Sequence, residues 1–338
     1  MTEATATIEL SGLGAQDPLA YLASLGCLLA LSAGCQRAGL AQPTMRFGVG
    51  GALTPIMQAP LADAEALLDM LVADLDEIAG RDEDGIRDCF LTFDYPDDAG
   101  NVVRDLKPPP KVFRKFAQKL IDGASPVERR TIDWAAASLT DVAVDRSKGA
   151  GKPFALHFTA GNQRFLNIAL ELLDGTGTKQ SSRPVDRDDL RAAVLGPWMN
   201  DRDLKVFSWS PTQDRAYALR AVDPSGDQKL GNPGADWLAL RGIGLLSSAP
   251  VGAKIETSGV RGGWKTGTFS YPIWPDPLDE YGVRALLRHP AVRGDDPATN
   301  EGRWSVTRTL PRGVEVLTCR ISRSDQGGYG AFSRPSRR

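Results

Sequence analysis

The chain has 338 residues, 42% of them hydrophobic and 24% charged, which is enough for a large core in one domain or two. Its 42 acidic residues against 40 basic ones leave a formal net charge of −2, unlike the strongly basic profile common in free-standing DNA-binding proteins. With only two histidines, and four cysteines lacking any C-x₂-C pair, a zinc or redox framework is disfavoured.

Ile8–Leu10 is read as a short strand. Asp17-Pro18 opens a helix, because Asp can cap free backbone N–H groups and Pro has no N–H to lose at the first helical position. The helix is expected to reach about Arg37 and stop near Gly39. Its apolar stretch Leu19–Leu31 is shorter than the ~20 residues of a bilayer span, and no basic segment precedes it. It is read as a core helix and not a signal peptide, in a cytoplasmic protein with reduced thiols and no membrane partner. Met45–Val49 is expected to be a strand. Leu61–Ala79 is expected to be an amphipathic helix with Leu67, Leu68, Leu71 and Leu75 inward and Gly80 past its end. Arg87–Tyr95 is read as a strand ending at Pro96, and the Asp97–Asn101 segment as a turn.

A rigid Lys107–Pro110 connector leads into a basic helix, Lys111–Ile121, and then a short helix within Val127–Ser138. Val144–Pro153, rich in Gly, Lys and Asp, is the candidate mobile loop or boundary. Beyond it, Phe154–Thr159, Leu204–Trp209, Arg215–Leu219, Lys254–Ser258, Thr266–Pro272, Trp304–Leu310 and Val314–Ser322 read as strands. Gly161–Leu173, Asp188–Leu195, Ala235–Leu246 and Pro277–His289 read as helices. The fold class is α+β, with mixed helices, a mainly antiparallel sheet and no Rossmann or P-loop core. The regions are a helix-rich 1–150, an α+β 151–323 and a flexible Arg-rich tail, 324–338.

Catalytic motifs are sparse. Gly12-Leu-Gly14 and Gly242-Ile-Gly244 do not complete a dinucleotide fingerprint, and no P-loop, H-E-x-x-H or G-x-S-x-G string occurs. The Asp94/Asp97/Asp98 and Asp186/Asp188/Asp189 clusters fit turns and helix caps. His157 has no nucleophile nearby in sequence and is read as a core histidine. No catalytic residue, metal ligand or cofactor site is assigned.

The more informative pattern is cations interleaved with aromatics. Lys111, Arg114 and Lys115 share a helical side at i, i+3, i+4, with Phe113 and Phe116 adjacent; such a face can track phosphates. In Ser258-Gly-Val-Arg261-Gly-Gly-Trp264-Lys265-Thr-Gly267, Arg261 and Lys265 can hold phosphates while Trp264 stacks on a base or packs the loop down. The Arg-rich end, including Arg308, Arg320 and Arg323, can place several charges on one sheet face by strand alternation. A plain solvated surface is the competing reading in each case.

Phe158-Thr-Ala-Gly161-Asn-Gln163-Arg164-Phe165, Leu195-Gly-Pro197-Trp198, Asp223-Pro224 and Pro233-Gly-Ala-Asp236-Trp237-Leu-Ala-Leu240-Arg241-Gly242 resemble proteins of type I-G (formerly I-U) CRISPR–Cas systems. Asp17-Pro-Leu-Ala-Tyr-Leu-Ala-Ser-Leu-Gly26 is similar to the N-terminal helix of the same group. The resemblance implies a non-catalytic large or accessory subunit of a crRNA-guided surveillance complex in antiviral defence. Its expected partners are crRNA and/or target DNA and other effector subunits. It transfers no site residues. From local chemistry, Arg164, Arg241, Arg261 and Lys265 are expected at phosphate, Trp264 as a stacking group, and Lys111, Arg114 and Lys115 as an extension of the track. Two other readings stand beside it: a protein–protein adaptor that recruits a nuclease or helicase, and a metal-dependent nuclease built from scattered Asp residues.

Overall fold

A computed structural model describes residues 5–48, 50, 53–97, 99–123, 129–159, 163–175, 183–203, 205–213, 230–263, 265–293, 310–323 and 330–338. Strand β1 (Ala6–Glu9) leads to helix α1 (Pro18–Ala38). The Asp17 side chain accepts from the Leu19 N–H at 2.8 Å, Pro18 begins the helix, and Gly39 ends it in the left-handed region at φ 66°. This matches the expected caps. Although α1 is long and apolar enough to cross a membrane, 89% of its most apolar window is buried inside the fold. It is a core helix, and each fully buried Leu on it contributes about 1.5–3 kcal/mol relative to exposure.

Strands β2 (Thr44–Phe47) and β3 (Pro55–Ala59) complete a sheet ordered β1-β3-β2. Helix α2 (Ala64–Ala79) is capped by Asp63, closed by Gly80, and buries Leu67, Leu68, Leu71 and Leu75. Next come a small ladder, β4 (Tyr95–Pro96) with β5 (Val102–Val103), and helices α3 (Pro110–Asp122) and α4 (Arg130–Ser138). The candidate mobile loop holds a short hairpin, β6 (Val144–Asp145) with β7 (Ala150–Gly151). Helices α5 (Phe165–Asp174) and α6 (Arg187–Leu195), the ladder β8 (Arg202–Asp203) with β9 (Leu230–Gly231), and helix α7 (Pro233–Gly242) follow. The chain ends in a hairpin, β10 (Ser248–Val251) with β11 (Lys254–Thr257), then β12 (Val260–Gly262) and β13 (Thr266–Ile273). Helices α8 (Glu280–Leu287) and α9 (Pro290–Arg293) precede β14 (Glu315–Arg323), β15 (Gly330–Phe332) and β16 (Ser336–Arg337).

The fold is α+β. Strands β12 to β16 form a five-stranded sheet, with β15 and β16 both on the far side of β14. Every strand pairing among the described residues is antiparallel, so no doubly wound parallel core is built from them. At the centre α1 crosses α7 at backbone contact. Gly26 and Gly242 lie in the crossing, where an added Cβ would fall 1.7 Å from the Leu238 carbonyl oxygen and 2.1 Å from that of Leu22. The sheet packs its inner face on α1, with Tyr21 and Tyr271 stacked at 4.2 Å and the Tyr271 hydroxyl donating to the Ala15 carbonyl at 2.8 Å. From the other side, fully buried Trp134 of α4 donates its Nε1–H to Leu240 of α7 at 2.9 Å. Regions 1–150 and 151–323 share this core, which runs from Ile8 to Phe332. Of the expected flexible tail, Gly330–Phe332 and Ser336–Arg337 pair with β14 as β15 and β16, and 324–329 lie outside the described residues.

Among the described residues, three expected strands pair with no other strand over most of their length. Within Arg87–Tyr95, the Asp88 carboxylate accepts from the Phe90 N–H at 2.9 Å and a turn replaces the ladder. Along Phe154–Thr159, the Ala155 N–H donates to the Thr257 hydroxyl, while the Ala155 and His157 carbonyls accept from Arg323. In Lys205–Trp209, the Phe207 N–H donates to Asp236 at 3.2 Å. In the last two segments, side chains distant in sequence supply partners that a strand would have taken from a neighbour. The expected strand Arg215–Leu219 lies outside the described residues, as does all of the expected strand Trp304–Leu310 except Leu310.

Candidate nucleic-acid interface

Helix α3 starts at Pro110, whose fixed φ suits the first helical position, and has no fully buried residue. Val112, Phe113, Phe116 and Leu120 rest half-buried on the core, with Phe116 stacked on Phe93 at 4.3 Å. The opposite side is exposed and carries Lys111, Arg114 and Lys115. Lys119, at i+8 from Lys111, extends this row and was missed by the sequence reading although helical spacing alone would have found it. Arg114 is held by Asp141 at 2.7 Å with 65% of its side chain exposed. Phe113 and Phe116 are therefore packing groups beneath the basic row and not bases' stacking partners.

Arg164 immediately precedes α5 and reaches the Asp105 carboxylate at 3.8 Å, with 40% of its side chain exposed. Asp105 is almost fully buried and is the hub of a small cluster. It meets His157 Nε2 at 2.9 Å, the Phe165 N–H at 3.1 Å and Lys107 Nζ at 3.4 Å. Burial opposes its charge, but His157, Lys107 and the Phe165 N–H outweigh burial and hold the carboxyl well below the usual range. His157 is fully buried, and desolvation keeps its pKa below the ordinary value despite the pull of Asp105. We take it as the neutral imidazole donating to Asp105, a core histidine as the sequence reading expected. Lys107 and Arg164 keep Asp105 ionised whether or not the ring is charged.

A pH dependence follows. In the unfolded chain His157 titrates near its ordinary value of about 6.5. Its depressed folded pKa makes the unfolded state bind more protons below that pH, so its contribution is full above about 6.5 and is lost as pH falls toward the folded value. The melting temperature should drop between about pH 7 and pH 5, and His157→Gln should flatten that drop. Equal pH slopes in the two proteins would show that the histidine is not its source.

Arg261 on β12 is exposed and stands opposite Thr268 of β13. Lys265 is exposed at the same hairpin tip, where Gly262 takes a φ of 104° that an L side chain rarely adopts. Trp264 lies outside the described residues. Contacts link the tip to α3. Thr266 pairs with Ser322, and the next residue, Arg323, donates to the carbonyls of His157 and Ala155, each at 2.8 Å. Burial pulls the Arg323 pKa down to about 10, so it stays charged at neutral pH. His157 then meets Asp105, which holds Lys107 and Arg164, and the chain runs through Pro108 to α3.

Arg241 is not part of this set. It is 3% exposed, bonds Asp74 through Nε at 3.1 Å, and lies 5.9 Å over the Trp134 ring. The expected phosphate contact is corrected to a structural ion pair, because the guanidinium is committed to Asp74 and only an edge of the side chain reaches the cleft beside α1 and α4. Of the described tryptophans, Trp134, Trp209, Trp237 and Trp274 are core groups, while Trp198 is half-buried and donates its Nε1–H to the Ala193 carbonyl at 2.9 Å.

The acidic clusters do structural work where they are described. Asp97 accepts from the Ala99 and Asn101 N–H groups in a turn, and Asp186 with Asp189 forms a capping box on α6. No three His, Cys, Asp or Glu among the described residues converge as metal ligands. A cleft of about 440 Å³ beside α1 and α4 is lined by paired charges, among them Arg37, Glu77, Asp88 and Arg130. Ile86, 75% exposed, and Tyr281, 54% exposed, also line it. Neither a protein-family model, nor a curated protein, nor a solved structure matches the chain.

Proposed function

We propose that the chain is a non-catalytic subunit of a crRNA-guided type I CRISPR effector complex that contributes nucleic-acid contacts and holds the assembly together. The observation that carries the nucleic-acid part is α3. Its apolar half is committed to the core, and its outer half offers Lys111, Arg114, Lys115 and Lys119 as an exposed row about two turns long. In a chain of net charge −2, such local segregation of cations gives phosphate affinity without a basic chain overall. The CRISPR part is supported by the resemblance of the sequence blocks, two of which, Asp17–Gly26 and Pro233–Gly242, are the segments that cross at the centre of the fold.

The test is affinity for nucleic acid across a salt series. Lys111→Ala with Lys115→Ala should lower the slope of log K against log salt by about 1–2, and weaken binding to all sequences alike. An unchanged slope removes α3 from the interface. Exposed Ile86 and Tyr281 beside the paired-charge cleft favour a second reading, a protein–protein adaptor. It predicts stoichiometric co-purification with partner subunits, disrupted by Ile86→Asp, and no crosslink between this chain and nucleic acid.

A further inference from the structure

Strand β13 reads Thr-Gly-Thr-Phe-Ser-Tyr-Pro-Ile, and its alternation sorts residues by face. Phe269, Tyr271 and Ile273 point into the core with Leu317, Cys319 and Ile321 of β14. The outer face receives Thr266, Thr268 and Ser270 from β13, and Thr318, Arg320 and Ser322 from β14. Register aligns them in rows: Arg261 is opposite Thr268, which is opposite Arg320; Thr266 is opposite Ser322; Ser270 is opposite Thr318, with their hydroxyls 2.9 Å apart. Arg261 and Arg320 thus share one face two strand spacings apart, about 10 Å between Cα atoms.

A solvated outer face is ordinary for an antiparallel sheet, but its surface normally mixes both signs of charge. Here acids and bases are nearly equal over the chain, 42 to 40, yet the outward positions of β12, β13 and β14 carry arginines, hydroxyls, Pro272 and Val316, and no carboxylate. The face is open at one end only. Arg261, Thr266, Arg320 and Ser322 are exposed, while Ser270, Pro272 and Val316 at the other end are buried. The open end adjoins Lys265 and, through Arg323, the His157–Asp105 cluster that holds Arg164. Guanidinium and hydroxyl donors suit phosphate oxygens, and these outward positions hold no aromatic ring on which a base could stack.

We propose that the open end of this sheet, around the Arg261–Thr268–Arg320 row, seats the sugar–phosphate backbone of a nucleic acid, held by charge and hydroxyl contacts without base stacking. This rests on the nucleic-acid reading above and adds to α3 a second, separately testable surface. The experiment uses the full chain, with fluorescein-labelled single strands of roughly 20 nucleotides as oligo-dT, oligo-dA and mixed-sequence RNA, plus a DNA duplex of equal length, each titrated by anisotropy at several salt concentrations.

Arg320 is exposed, so Arg320→Ala and Arg320→Glu should leave the melting temperature near that of the parent. Arg320→Ala should reduce the salt slope by about 0.7–0.9, and Arg320→Glu should weaken binding about tenfold or more. Oligo-dT and oligo-dA should bind within about twofold of each other, because a backbone contact is blind to the base. Whether RNA, single-stranded DNA or the duplex loses most affinity identifies the strand that the sheet seats. If the α3 double variant weakens binding and both Arg320 variants do not, the sheet proposal is wrong and the nucleic-acid reading stands. If the parent chain binds none of the probes, both are wrong. A large preference for one homopolymer overturns the absence of stacking.

Discussion

Asp74→Ala is expected to cost about 3–5 kcal/mol of folding stability, the range for removing one partner of a buried ion pair. Asp74 and Arg241 are 2% and 4% exposed at their side chains, and among the described residues Arg241 is otherwise held by a 3.4 Å contact to the Leu29 carbonyl and by the Trp134 ring. Without Asp74 its nearly buried charge loses the one carboxylate bonded to it. Replacing both together, as Asp74→Leu with Arg241→Met, should recover most of the loss, because a well-packed apolar pair often matches a buried ion pair. Urea denaturation of the two single variants and the double one measures the coupling. The same proteins decide whether Arg241 touches phosphate. The double variant should bind nucleic acid as the parent does; a stable double variant with weakened binding would return Arg241 to the interface.

That pair also marks where sequence reasoning stops. Local signals predict the local structure well: Asp17-Pro18 and Gly39 bound α1, Gly80 closes α2, and alternation places β13 and β14 within a residue or two. They depend only on groups a few residues apart. Asp74 and Arg241 are 167 positions apart, and Asp105 and His157 are 52 apart, so no window shows either pair. Two of the three missing strands have the same origin, since Thr257 and Arg323 satisfy the Phe154–Thr159 backbone and Asp236 that of Phe207 from elsewhere in the chain, whereas the Asp88 turn in Arg87–Tyr95 is local.

Part of the site was legible and misread. Arg241 follows the apolar run Trp237-Leu-Ala-Leu, and a cation in so apolar a stretch turns to a buried carboxylate. Phe113, Phe116 and Leu120 recur at helical spacing, which marks a packing face, and Lys119 completes the row opposite. Arg320 alternates with Cys319 and Ile321, which fixes it outward, but its alignment with Arg261 depends on a strand register that composition does not reveal.

Among the described glycines, Gly26→Ala should be the most damaging single methyl. The new Cβ would sit 1.7 Å from the Leu238 carbonyl oxygen and 2.7 Å from its carbon, and no rotamer change relieves a clash with backbone. Overpacking of a core costs about 1–3 kcal/mol where side chains can shift. Here two helix backbones must separate, so a loss above that range is expected. Gly242→Ala, 2.1 Å from the Leu22 carbonyl oxygen, should behave alike. Gly34→Ala, on the same helix, is the control: its Cβ would meet only the flexible Met70 side chain at 3.3 Å, and better helix propensity offers up to about 1 kcal/mol. It should match or exceed the parent in a denaturation curve. If Gly26→Ala does so too, α1 and α7 do not meet at their glycines. Moving α1 away from α7 would shift the β13–β14 sheet, which rides on α1 through Tyr21 and Tyr271, relative to α4, which is pinned to α7 through Trp134 and Leu240. Helix α3 packs beside α4, so the crossing sets the spacing between the α3 row and the Arg261–Arg320 row. In any folded fraction of Gly26→Ala, loss of spacing should therefore weaken binding to long strands that reach both rows more than to short ones that reach one.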